Sequence, residues 1–159
     1  MNAVASLPQR VAALEEAFRA IARTRMQGVP VLNPALAVQA LGFEPDADGG
    51  HATGVLLTPW FMNLLRLPLI LQTQALPVGV AAARDLGPHR LDFLGAYEPG
   101  IGPFEACSLF SPMFEFADQA TAVATAREVL AALRAAPASL PPAAPARRGF
   151  LFGRTGAAA

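Results

Sequence analysis

Apolar positions near the start of the chain recur at helical spacing. Val11, Leu14, Phe18 and Ile21 follow one another at intervals of three, four and three, with Glu15, Glu16, Arg19 and Arg23 on the other faces. Pro8 and Gly28 punctuate the two ends. The pattern predicts an amphipathic helix over residues 8–26 with one buried stripe.

The period then changes. Ala35–Phe43 and Ala52–Leu57 read as two short strands around the turn-rich segment 44–50. Thr58-Pro59 has the form of an N-cap followed by proline at the first helical position, predicting a short helix over Trp60–Leu67. Val78–Arg84, Arg90–Tyr97 and Phe104–Phe110 are three further strands, joined by turn signals at 85–88 and 98–103. Connections this short favour an antiparallel meander over parallel crossovers. Asp118 is placed to cap a second helix, Gln119–Ala135, whose stripe is Val123, Ala126, Leu130 and Leu133 and which Pro137 stops.

Helix, strands and helix in that order predict an α+β fold, a two-layer sandwich. Its antiparallel sheet of about five strands would carry the N- and C-terminal helices on one face. The domain is expected to span residues 1–136. Residues 137–159 form a Pro/Ala-rich tail with the pair Arg147-Arg148, a composition that cannot build a core.

Composition narrows the function classes. At 159 residues and 53% hydrophobic, the chain has ample material for one core. The greasiest stretch carries Pro59, Asn63, Arg66 and Pro68, which a membrane-spanning helix accepts poorly. The first residues lack a continuous apolar run, so no signal peptide and a cytoplasmic location are expected. All twelve basic residues are arginine, against twelve acids. Arg147, Arg148 and Arg154 lie in a tail without any acid, so the tail is +3 and the body, with nine arginines and twelve acids, is −3. An acidic body without a basic face is a poor nucleic-acid binder. One Cys and two His exclude a disulfide framework and a four-ligand Cys/His zinc site. Neither a phosphate-cradling glycine loop nor a GxSxG elbow occurs, so no cofactor, metal or catalytic residue is expected.

Three features remain as candidates. His51 and His89 follow turns and read as surface side chains. Cys107 lies in a strand-like run with Glu105 and Leu109 on its own face and no cation beside it, the setting of a buried structural thiol. The alternative is a thiol-dependent redox module or enzyme centred on it. The third is the cluster Trp60, Phe61 and Met62, which a short element cannot bury entirely, and Phe110, Met113, Phe114 and Phe116 crowd the next connection in the same way. Such residues are enriched at adaptable binding surfaces.

Three stretches together resemble the HybE-type (HupJ/HoxT) [NiFe]-hydrogenase assembly chaperones. They are Leu57-Thr58-Pro59-Trp60-Phe61-Met62, Cys107-Ser108-Leu109-Phe110-Ser111-Pro112 and Arg147-Arg148-Gly149-Phe150-Leu151-Phe152-Gly153-Arg154. The resemblance implies a non-catalytic maturation factor with an α/β sandwich fold. Its partner would be a hydrogenase precursor, chiefly the small subunit with its twin-arginine signal, held back from export until its cofactors are in place. Some relatives carry a rubredoxin-like iron module, which needs paired cysteines that one Cys cannot supply.

On this reading Trp60, Phe61, Met62, Phe110 and Met113, with Cys107 in a neighbouring wall, form the partner surface, and Glu105 and Glu115 receive partner arginines. The tail segment Arg147, Arg148, Phe150 and Leu151 is close to the twin-arginine pattern S/T-R-R-x-F-L-K, departing at its first and last positions. It lies at the wrong end of the chain to be an export signal, and reads as a pseudo-signal for the chain's own groove or for another factor. Ten residues from Pro137 span roughly 18 Å as a random coil, enough to reach the body.

Overall fold

The computed structural model describes residues 6–70 and 74–135. Two helices and six strands follow in the order α1 (Leu7–Arg23), β1 (Gln39–Pro45), β2 (His51–Leu57), β3 (Met62–Pro68), β4 (Ala81–Leu86), β5 (His89–Glu98), β6 (Gly102–Phe110) and α2 (Gln119–Arg134). The expected α+β fold with an antiparallel sheet is present. The sheet has six strands in the order β1-β2-β3-β6-β5-β4, every neighbouring pair antiparallel.

Both helices start on side-chain caps. Ser6 Oγ accepts from the Gln9 amide at 3.2 Å with Pro8 in the first turn, and Asp118 Oδ1 accepts from the Thr121 amide at 2.8 Å.

The strand beyond the five expected is β3, the segment the sequence placed in a short helix. Thr58 Oγ1 accepts from the Trp60 and Phe61 amides at 3.2 and 2.9 Å, as an N-cap would, but the chain turns back after Phe61 instead of winding on. Met62–Pro68 then pairs with β2 on one side and β6 on the other. Met62 and Leu64 point to one face of the sheet and Leu65 and Leu67 to the opposite one, all four buried. A strand covered on both faces is apolar throughout, and periodicity cannot distinguish it from a buried helix turn.

Burial on both faces also corrects the placement of the helices. The α2 residues Ala122, Ala126, Leu130 and Leu133 pack with Val55, Leu57, Met62, Leu64 and Phe93. Leu14 and Phe18 of α1 pack with Leu56, Leu65, Leu67 and Phe104, the alternate positions of the same strands. The two helices therefore cover opposite faces, not one. Arg10 pins the start of α1 by donating to the Pro68 carbonyl at 3.1 Å and the Ile101 carbonyl at 3.0 Å.

The cover on α1's side is incomplete. Its buried residues reach no further than β6, with half-buried Ala96 of β5 packed against them; elsewhere on β5 and β4 Leu94 is 51% exposed and Ala81 and Asp92 are exposed as well.

Candidate functional site

The turn between β2 and β3 builds one wall of a groove. Thr58 is fully buried, and its hydroxyl also donates to the Phe61 carbonyl at 3.2 Å. Fixed this way, the turn presents Trp60 and Phe61 to the α1 face, both half-buried. Their rings meet edge-to-face at 5.6 Å, and Phe18 of α1 lies 6.5 Å from Trp60, 5.9 Å from Phe61 and 6.4 Å from Phe104. Between this aromatic group and the strands runs an open groove of about 400 Å³. Ile21 and Met26 continue its wall, and Asn63, Leu65, Ala96 and Ala106 form its floor. Arg25 and Glu98, ion-paired at 2.7 Å, stand at its rim.

One feature of the floor is unusual. Asn63 Oδ1 is buried without a hydrogen-bond partner among the described residues. An acceptor left so costs about 1–3 kcal/mol, a cost that a donor entering the groove removes.

Other expected surface residues sit elsewhere. Met62 and Met113 are fully buried in the α2-side core, so they are interior packing and not partner surface. Phe110 is half-buried and stacks edge-to-face on Phe116 at 5.2 Å, whereas Phe114 is exposed. Glu105 is buried and already occupied: Arg84 donates through Nε and Nη2 at 2.9 Å each, and Arg66 Nη1 lies at 3.4 Å. It is the anchor of an internal charge network and cannot receive a partner's arginines while these bonds stand. Glu115 is exposed. His51 is not a free surface side chain, because its imidazole is largely enclosed and lies 3.2 Å from Asp48; His89 is half-buried. Arg147, Arg148, Phe150 and Leu151 fall outside the described residues, as does the whole of 137–159.

Cys107 is half-buried on β6 and packs against the α2-side core. Burial pushes its thiol pKa up, and the Asp92 carboxylate pushes it further, so the reactive thiolate is suppressed at neutral pH. That is the opposite of what a thiol enzyme needs. Among the described residues no group of three or more His, Cys, Asp or Glu side chains is arranged to hold a metal ion. None of their helices is long and apolar enough to cross a membrane.

The groove was legible only in part. Trp60 and Phe61 stood out in sequence, but Phe18, Ile21 and Phe104 read as plain core, and Asn63 carried no signal. Their convergence depends on α1 crossing one face of the sheet.

Comparison with known proteins places this architecture. The family model for the [NiFe]-hydrogenase assembly chaperone HybE matches residues 9–153. The chain belongs to that family. It is thus a hydrogenase assembly chaperone and not an enzyme. It is 55% identical to "Protein HoxT" of Cupriavidus necator, covering 91% of this chain and 89% of that one. It is 40% identical to the "Hydrogenase expression/formation protein HupJ" of Bradyrhizobium diazoefficiens, over 76% and 69% of the two chains. The solution structure of HybE from Escherichia coli superposes with a TM-score of 0.63 at 21% identity, covering 89% of each chain, a likeness of fold.

Proposed function

We propose that this HybE-family chaperone holds the precursor of a hydrogenase small subunit in the cytoplasm through its twin-arginine signal segment, and withholds it from export until the cofactors are in place. The observation that carries this is the groove between α1, the Thr58 turn and the floor of β3, β6 and β5. Its aromatic wall and small-residue floor suit an apolar segment in contact with water, and its volume lies within the range typical of ligand pockets. Buried and half-buried rings in such a groove supply most of the binding energy through area, about 25 cal/mol per Å² removed from water. The orphaned Asn63 Oδ1 offers one directional contact on top. The body's excess of acid over base favours a segment led by arginines.

The test is capture of a purified small-subunit precursor by the full chain, with and without the precursor's signal segment. Capture that depends on the segment and falls at least tenfold for Trp60→Ala, while the variant unfolds within about 1 kcal/mol of the parent, is the expected result. Equal capture with the segment deleted overturns the reading.

A further inference from the structure

The half of the sheet that α1 leaves open is graded along its strands. On α1's face the register aligns Leu65, Ala106, Leu94 and Ala81 in one row across β3, β6, β5 and β4. On one side of it Phe104 pairs with Ala96, again apolar and small. On the other side Asn63 pairs with Ser108, and Asp92, the next residue outward by the same register, pairs with Ala83. The face therefore passes from a polar row, containing the orphaned Asn63 Oδ1 and the exposed carboxylate of Asp92, to an apolar floor. Asp92 has no ion-pair or hydrogen-bond partner among the described residues, whereas nearby Asp85 is paired with Arg90 at 2.9 Å.

The end of the described residues is close by. A Cβ on Gly87, in the β4–β5 turn, would stand 2.6 Å from the Leu133 carbonyl oxygen, so the last turn of α2 lies against that turn. The described chain ends there, at Ala135, beside the edge strand of the open half-sheet. Twelve residues further on stand Arg147 and Arg148, followed by Gly149, Phe150, Leu151 and Phe152. Because α2 packs on the opposite face, the linker rounds the β4 edge, about 10 Å, and then crosses about 14 Å from β4 to β3, within the roughly 40 Å that a linker of that length can reach. The tail carries three arginines and no acid, against a body with twelve acids and nine arginines.

We propose that residues 147–152 of this chain seat on the open half-sheet. Arg147 and Arg148 lie toward Asp92, and Phe150 and Leu151 lie over Leu94, Ala96 and Ala106. The tail covers the apolar floor while no client is present, and a client's basic and apolar segment displaces it. The order of the tail, basic then apolar, matches the order of rows on the face. Tethering supplies an effective concentration in the millimolar range, so a weak contact suffices to keep the floor covered and yet yields to a better ligand. The client half of this inference rests on the proposed function; the seating itself does not.

Methyl NMR of the full chain reads the seating without a client, and Trp60 fluorescence reads it from the groove's aromatic wall. Expected are shifts of the Leu94, Ala96 and Ala106 methyl signals in Arg147→Asp/Arg148→Asp and in Asp92→Arg. Combining the three substitutions returns the signals toward their original positions. Signals unchanged in the tail variant overturn the proposal. So does a wild-type spectrum that converges on the variant's upon dilution, which would make a second copy's tail the occupant. In the client arm, a tail that covers the floor nine-tenths of the time weakens a twin-arginine peptide about tenfold, so the tail variant binds it that much more tightly. Equal affinity for the two proteins overturns the competition. Methyl shifts with no peptide binding to either protein uphold the seating and sink the client reading alone.

Discussion

Glu105 illustrates how one residue's role follows from what surrounds it. Its carboxylate takes a two-pronged grip from Arg84 and a further contact from Arg66, which also donates to Asp46 at 3.1 Å and Asp48 at 3.0 Å. Glu105→Gln removes the charge and leaves the guanidinium groups of Arg66 and Arg84 short of a partner. We expect a loss of about 3 kcal/mol in urea unfolding, with capture by the folded fraction unchanged. Cys107 is the other case. With its thiol pKa raised, iodoacetamide should react slowly at pH 8 and its rate should still climb above pH 9, and Cys107→Ser should keep full client capture. Rapid alkylation at neutral pH would revive a redox role. Glu105 and Cys107 were both correctly placed on one strand face by the alternation of residues. Their environments were not, because the arginines that occupy Glu105 come from β3 and β4, 39 and 21 positions away in sequence.

Elements carry the next level of meaning. Thr58-Pro59 has cap chemistry whether a helix or a turn follows, since a hydroxyl accepting from the amides two and three residues on serves both. What decides is the partner: β2 and β6 offer unpaired backbone on both sides, and the segment 62–68 takes it. The same logic fixes Gly95 on β5. A Cβ there would collide with the Pro77 and Leu76 carbonyl oxygens, so the strand accepts segment 74–80 across it only as glycine. Gly95→Ala should cost about 2 kcal/mol or more in thermal or urea unfolding and raise hydrogen exchange at the Gly79 amide, which donates to the Gly95 carbonyl at 2.9 Å. An unchanged midpoint would show that the segment is free to lift away.

For the molecule as a whole, the central fact is a sheet whose buried cluster is wider on the α2 side than on the α1 side. Both helices follow the amphipathic pattern. On the α2 side the buried cluster runs from Leu41 of β1 to Phe93 of β5, whereas on the α1 side the buried residues reach only β6, with half-buried Ala96 of β5 packed against them. On the proposed function this asymmetry leaves one layer open to an apolar segment without weakening the other core. Charge also acts globally. Burial tends to raise the Asp48 pKa, but the Gly50 amide, His51 and Arg66 together hold it below the usual carboxylate range. A carboxyl depressed in the fold stabilises above its unfolded pKa near 3.9, and that contribution is lost as pH falls through the folded value. The urea midpoint should therefore fall between pH 5 and pH 3, with a shallower fall in Asp48→Asn.

The sequence by itself determined what is local. Helix stripes, the Pro8 and Asp118 starts, the turns at 85–88 and 98–103 and five of the six strands follow from the nearest neighbours of each residue. So does the family resemblance, which rests on three short contiguous motifs. Only the tertiary structure decided which face each helix covers, that Met62–Pro68 is a central strand, and that Met62, Met113 and Glu105 are interior while Trp60 and Phe61 edge a groove. The reason is physical: a side chain's exposure is set by whatever packs over it, and here the covering groups come from distant parts of the chain.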